Sequence, residues 1–116
     1  MMHQTRTTPL TIAELNDAFR RCLGISRAVP GRALLTSGVA ALPEHELAQV
    51  LRAVQAFAAF TPGNDPWKEH DYGRVEAGAT IVLFKFDYFA DASLTTGAES
   101  GLDCYRVLTI MLPEEY

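Results

Sequence analysis

Between Pro43 and Phe89 the apolar residues change period, and that change limits the folds open to the chain. Leu47, Val50, Leu51, Val54, Phe57 and Ala58 recur at helical spacing in a segment running to Phe60. Further on, Thr80, Val82, Phe84, Phe86 and Tyr88 alternate with Ile81, Leu83, Lys85, Asp87 and Phe89, the period of a strand. A helix with one apolar stripe and a strand with one apolar face both need a covering layer, and each can cover the other. The change of period falls across Thr61–Gly73 (TPGNDPWKEHDYG), which holds the only Trp and two of the six prolines.

The flanking sequence fits the same plan. Thr11 and Glu14 have capping-box spacing ahead of Leu15, Ala18, Phe19, Cys22 and Leu23, which predicts a helix over 12–23, stopped by Gly24. Its outward face is expected to carry Asn16, Asp17, Arg20 and Arg21, with the two arginines suited to the negative end of the helix dipole. Arg32–Ser37 reads as a short strand, Val39–Leu42 as either a strand end or a helix approach, and Pro43 with Glu44 and Glu46 as the start of a second helix reaching Phe60. Tyr72–Ala77 and Thr80–Phe89 read as strands joined tightly at Ala77-Gly78, and Cys104–Leu112, apolar on both faces, as an interior strand. Ala90–Asp103 has no period, and residues 1–10 read as a flexible N-terminal arm. The expected fold is α+β: one domain over residues 11–116, with two amphipathic helices packed on one face of a mainly antiparallel sheet of about four strands.

Charge is uneven along the chain. Residues 1–60 carry six arginines against four acids, whereas residues 61–116 carry ten acids against Lys68, Arg74, Lys85 and Arg106. A negative field works against direct nucleic-acid binding, which depends on cations replacing counterions along the phosphates, and suits a protein partner with a basic surface. No apolar run approaches the ~20 residues of a membrane span, and MMHQTRTTPL lacks a signal pattern, so no membrane association and a cytoplasmic location are expected. Cys22 and Cys104 are too few for a disulfide framework and are expected to be reduced.

Three readings of the central loop stand side by side. In the structural one, Asn64 and Asp65 before Pro66 build an Asx-type turn while Trp67 buries its ring. A second makes Asn64, Asp65, Trp67, Glu69, His70, Asp71 and Tyr72 a contact patch for a partner, since Trp and Tyr are common interface anchors. In the third, His70 binds a metal with Glu69, Asp71 or Asp87 and the protein is a metal-assisted hydrolase. Neighbours in an extended segment point to opposite sides, so that site needs a turn. The sequence holds no P-loop, no GxGxxG and no GxSxG, so neither a cofactor nor a catalytic residue is implied. Lys85 and Asp87, two apart on one strand face, read as a surface ion pair.

The blocks LNDAFR (Leu15–Arg20), GVAALP (Gly38–Pro43), FTPGNDPWKEHDYG (Phe60–Gly73), FKFDYF (Phe84–Phe89) and RVLTIMLPEEY (Arg106–Tyr116) resemble a small bacterial family of unknown function met mostly on plasmids and other mobile elements. Asn64, Asp65, Pro66, Glu69, His70, Asp71 and Gly73 match that family's pattern, and Ala90–Asp103 matches it poorly. The resemblance implies an accessory role on a mobile element and identifies no reaction. With the charge pattern it gives the leading expectation, a small acidic protein that binds a protein partner, in one version to inhibit a nucleic-acid-guided host defence. A self-associating structural domain, a homodimer formed through an uncovered edge strand, is the remaining alternative.

Overall fold

Thr11 starts the first helix, α1 (Ile12–Cys22), through the expected capping box: its hydroxyl accepts the Glu14 N–H at 3.1 Å and the Glu14 carboxylate accepts the Thr11 N–H at 2.9 Å. Leu23 takes the left-handed conformation that closes the helix (φ 51°). The computed structural model describes residues 9–116, so the arm expected over residues 1–10 lies, apart from Pro9 and Leu10, outside the described residues.

The chain continues through β1 (Gly31–Leu35), α2 (Ser37–Ala40), α3 (Glu44–Ala56), β2 (Tyr72–Ala77), β3 (Thr80–Phe89), β4 (Tyr105–Met111) and a short 3-10 turn at Pro113–Glu115. The four strands form one sheet in the order β1-β4-β3-β2; β1 runs parallel to β4 and the other pairs are antiparallel. The α+β architecture expected from the sequence is therefore present, with a third, short helix added. β4 is interior, as its two apolar faces require: Leu108 and Ile110 bury towards the helices, and Val107 and Met111 are buried on the other face.

Two boundaries differ from the sequence reading by more than one residue. The strand expected over Arg32–Ser37 ends at Leu35, because Thr36 already serves as N-cap of α2, which resolves Val39–Leu42 as a helix approach. The Glu115 carboxylate fixes that corner, accepting the Thr36 hydroxyl at 2.6 Å and the N–H groups of Gly38 and Leu112, each at 2.9 Å. These bonds, Thr36's foremost, hold its carboxyl below the ordinary carboxylate range. The second long helix, expected to reach Phe60, ends at Ala56, and Phe57 turns into an extended conformation.

Phe19, Val39, Val50, Val54, Val75, Val82, Phe84, Leu108 and Ile110 form the core between α1, α3 and the sheet. Gly73 controls how β2 enters it. Gly73 pairs with Phe84, and a Cβ at residue 73 would lie 2.3 Å from the Phe84 ring. Gly73→Ala is expected to destabilise the fold by about 1–3 kcal/mol, the usual cost of overpacking. Urea denaturation against wild type checks this, and the paired substitution with Phe84→Leu should recover part of the loss.

Candidate functional site

The loop between α3 and β2, residues 57–71, is held to α1 by polar side chains from the helix face that the sequence assigned to solvent. Asn16 and Arg20 are not outward: they are 0% and 1% exposed. Arg20 sends Nε to the Val54 carbonyl at 3.0 Å and Nη2 to the Phe57 carbonyl at 2.7 Å, while Nη1 meets Asp17 Oδ1 at 2.9 Å. Its guanidinium also lies over the rings of Phe60 and Phe84. Carbonyls at a helix end lack intrahelical partners, and a cation there also meets the negative end of the dipole. Arg20 supplies both to α3, which accounts for the helix stopping before Phe60. Phe57 and Phe60 then leave the helix to pack edge-on against each other and against Phe84.

Past Phe60 the loop is tied by its own side chains. Asn64 Oδ1 accepts the Thr61 N–H at 2.7 Å, Thr61 Oγ1 accepts the Asn64 N–H at 3.2 Å, and Asn64 Nδ2 donates to the Ala59 carbonyl at 2.9 Å. Asp65, buried, accepts the N–H groups of Glu69 and His70 through one oxygen, each at 3.2 Å. Lys68 (φ 56°) and His70 (φ 55°) both adopt the left-handed conformation, providing the turn that an extended reading lacked. His70 stacks on Phe60 with ring centroids 3.8 Å apart and stands between two carboxylates, Nδ1 3.0 Å from Asp17 and Nε2 3.6 Å from Asp65. The Asx-turn reading of Asn64 and Asp65 is thus realised in side-chain bonds.

Trp67 departs from that reading. Instead of burying its ring it is 82% exposed. The Lys68 N–H bonds back to the Asp65 carbonyl at 3.1 Å, which places Pro66 and Trp67 at the two central positions of a tight turn. Beside that turn lies a shallow hollow of about 240 Å³ lined by Phe60, Thr61, Pro62, Asp65, Lys68 and His70.

Glu69 and Asp71 diverge from His70. The Glu69 carbonyl accepts Asn16 Nδ2 at 3.0 Å and its carboxylate accepts the Tyr88 hydroxyl at 3.2 Å. Asn16 Nδ2 also donates to the Tyr88 oxygen at 2.9 Å, and Asn16 Oδ1 accepts from Arg106, whose second terminal nitrogen donates to the Gly101 carbonyl at 2.7 Å. Burial, with the charges of Glu69 and Asp71, pushes the Tyr88 phenol far above its ordinary range, in keeping with its role as a donor. Asp87 pairs instead with Lys85, at 2.9 Å, in the expected surface ion pair. Among the described residues no group of three or more His, Cys, Asp or Glu side chains could hold a metal ion. Both cysteines are free.

Asp71 is half-buried, and its carboxylate has no hydrogen-bond or ion-pair partner on another described residue. Burial raises its pKa, assisted by the charges of Asp65 and Asp87 and opposed by its own backbone N–H. Tyr72, also half-buried, turns to the opposite sheet face and meets the Tyr116 ring edge-on at 6.2 Å. Of the seven residues assigned to a contact patch, Asn64 and Trp67 are therefore exposed, Asp65 is buried, and Glu69, His70, Asp71 and Tyr72 are half-buried. The residues that sequence reasoning missed are Asn16, Asp17, Arg20, Tyr88 and Arg106. Asn16 and Arg20 stand four apart on one side of Phe19, at the border of the apolar stripe, and that spacing is the available signal.

Residues 35–115 match a family model described as a protein of unknown function (DUF3768). No curated protein and no solved structure matches the chain. The matched span contains the loop, Tyr88 and Arg106, while Asn16, Asp17 and Arg20 on α1 precede it.

Arg20→Ala is expected to cost about 3–5 kcal/mol in chemical denaturation, because it leaves buried carbonyls and Asp17 without their cation. Arg20→Lys should recover little, since an ammonium cannot reproduce the guanidinium fork. Asp71→Asn should act in the opposite direction. A carboxyl whose folded pKa lies above its unfolded value contributes stability below the unfolded pKa and loses it as pH rises through the folded one. The variant should therefore melt at a higher temperature than wild type at neutral pH, and the gap should close as pH falls through the carboxyl range.

Proposed function

The chain belongs to the DUF3768 family of proteins of unknown function, and from that premise we propose that it is a non-enzymatic binding module whose loop 61–72 grips a protein partner through Trp67. The observation that carries this reading is an 82% exposed Trp on a loop made rigid by side-chain bonds. A free Trp on an ordered turn is an anchor without an assigned pocket. Burying its ring removes about 150–250 Å² from water, and a loop already ordered loses little further entropy on binding.

The expected partner has a basic surface. Asp71 is an acid held half-buried with no cationic partner among the described residues, so a Lys or Arg presented by a partner would relieve an existing cost as well as add a contact. Glu76, Asp91, Glu99, Asp103 and Glu114, all exposed, spread negative charge over the same half of the chain and would steer such a partner. The reading extends to an accessory role in the cytoplasm of a cell carrying a plasmid or other mobile element. Nucleic-acid-guided defence proteins are a partner class with the required basic surfaces.

Because Trp67 is the only Trp, its fluorescence reports on the contact directly. With the partner recovered on the wild-type protein and purified, titration should shift the emission to the blue, and added salt should weaken binding. Trp67→Ala should weaken affinity by about thirtyfold or more, as expected of an interface anchor, while stability stays within ~0.5 kcal/mol of wild type. Unchanged emission together with unchanged affinity of Trp67→Ala would remove the loop from the interface.

A further inference from the structure

The two edges of the sheet differ. β2 presents Arg74 and Glu76, exposed and 3.9 Å apart, the kind of charged edge that resists pairing with another strand. β1 carries Leu34 and Leu35, 42% and 38% exposed, with no proline and no bulge.

Two hydrogen bonds at the ends of β1 fix which of its backbone groups are free. The Arg106 N–H donates to the Pro30 carbonyl at 3.2 Å and the Thr36 N–H donates to the Ile110 carbonyl at 3.1 Å. Backbone direction alternates along a strand, so the even-numbered residues face β4, and Gly31, Ala33 and Leu35 turn their N–H and C=O groups outward. None of these outward groups has a hydrogen-bond partner among the described residues.

We infer that β1 is a pairing edge for a second copy of this chain, antiparallel about a two-fold axis at Ala33, joining two four-stranded sheets into one of eight. Three observations select that occupant. The outward residues are three in number and evenly spaced, so an axis through Ala33 sets Gly31 opposite Leu35 of the second copy and Ala33 opposite itself, satisfying all outward groups on both strands. Arg32, the only charged residue of the strand, then stands opposite Leu34 of the second copy and never opposite its own equivalent. Pairing of β1 with β2 of another copy, which would propagate without closing, meets the charged pair Arg74 and Glu76. A contact one short strand wide falls below the area of a permanent dimer, so the association is weak and reversible. It leaves the Trp67 loop out of the contact and stands independently of the proposed function.

Sedimentation equilibrium from low to high micromolar concentration tests this, beside hydrogen exchange of individual amides. The expected result is a monomer–dimer equilibrium, with the Ala33 and Leu35 amides protected only at the high end. Ala33→Pro removes an N–H that bonds nothing among the described residues, so it should keep the fold and abolish the dimer. Leu34→Glu, brought opposite Arg32 of the second copy at two symmetric positions, should tighten dimerisation about fivefold, and Leu34→Lys should loosen it by a similar factor. A protein that stays monomeric throughout overturns the inference, as does a dimer indifferent to Ala33→Pro. Leu34→Glu and Leu34→Lys shifting the equilibrium in the same direction would overturn the register.

Discussion

The guanidinium of Arg20 is the constraint on which the other contacts near the loop depend. It closes the end of α3, lies over two aromatic rings and holds Asp17 at 2.9 Å. Asp17 in turn orients His70, which stacks on Phe60 and faces Asp65. The position of Trp67 thus follows from a cation buried nearly fifty residues earlier in the chain, through a sequence of short contacts with no apolar residue as intermediary except Phe60. A buried charge is tolerable when every terminal nitrogen has a partner, and here helix carbonyls and one carboxylate provide them.

A second polar path runs parallel to the first. Arg106, Asn16, Tyr88 and Glu69 form a line of hydrogen bonds from β4 across α1 to the loop. The donors and acceptors along it are consistent only if Tyr88 keeps its proton, and its burial ensures that. The loop is therefore held at Glu69 and at His70 by separate sets of side chains, both reaching it from α1. That arrangement accounts for a loop without regular secondary structure that still presents a fixed outer surface.

The sequence made the sheet legible because its signals are local. Thr80–Phe89 alternates strictly, Tyr72–Ala77 precedes it by a tight turn, and Cys104–Leu112 is apolar on both faces as a strand flanked on both sides must be. The capping box of α1 was legible for the same reason. What could not be read depended on contacts distant in sequence. The orientation of Arg20 is set by carbonyls of α3, and without them an arginine in a last helical turn reads as a solvated charge. The end of α3 at Ala56 is hidden by the same contact, since Phe57 and Ala58 continue the helical stripe as letters while their backbone leaves the helix. Trp67 was misread because a large aromatic is usually buried, whereas here the bond from the Lys68 N–H to the Asp65 carbonyl sets Pro66 and Trp67 at the exposed tip of a turn.

The placement of β4 also sets an order of events during synthesis. It follows every other strand in the chain, yet it sits between β1 and β3, so that β1 waits unpaired while α2, α3 and the β2–β3 hairpin emerge. Until β4 arrives, the nascent chain holds a free apolar strand and a hairpin that cannot yet be joined, with Arg106 missing from the line of hydrogen bonds through Asn16. Closure is then a single late insertion that pairs both sides at once, and its slow step is long-range strand docking more than helix formation. A chain that lacks β4 keeps two unsatisfied edges, one on β1 and one on β3, where the finished sheet has continuous pairing.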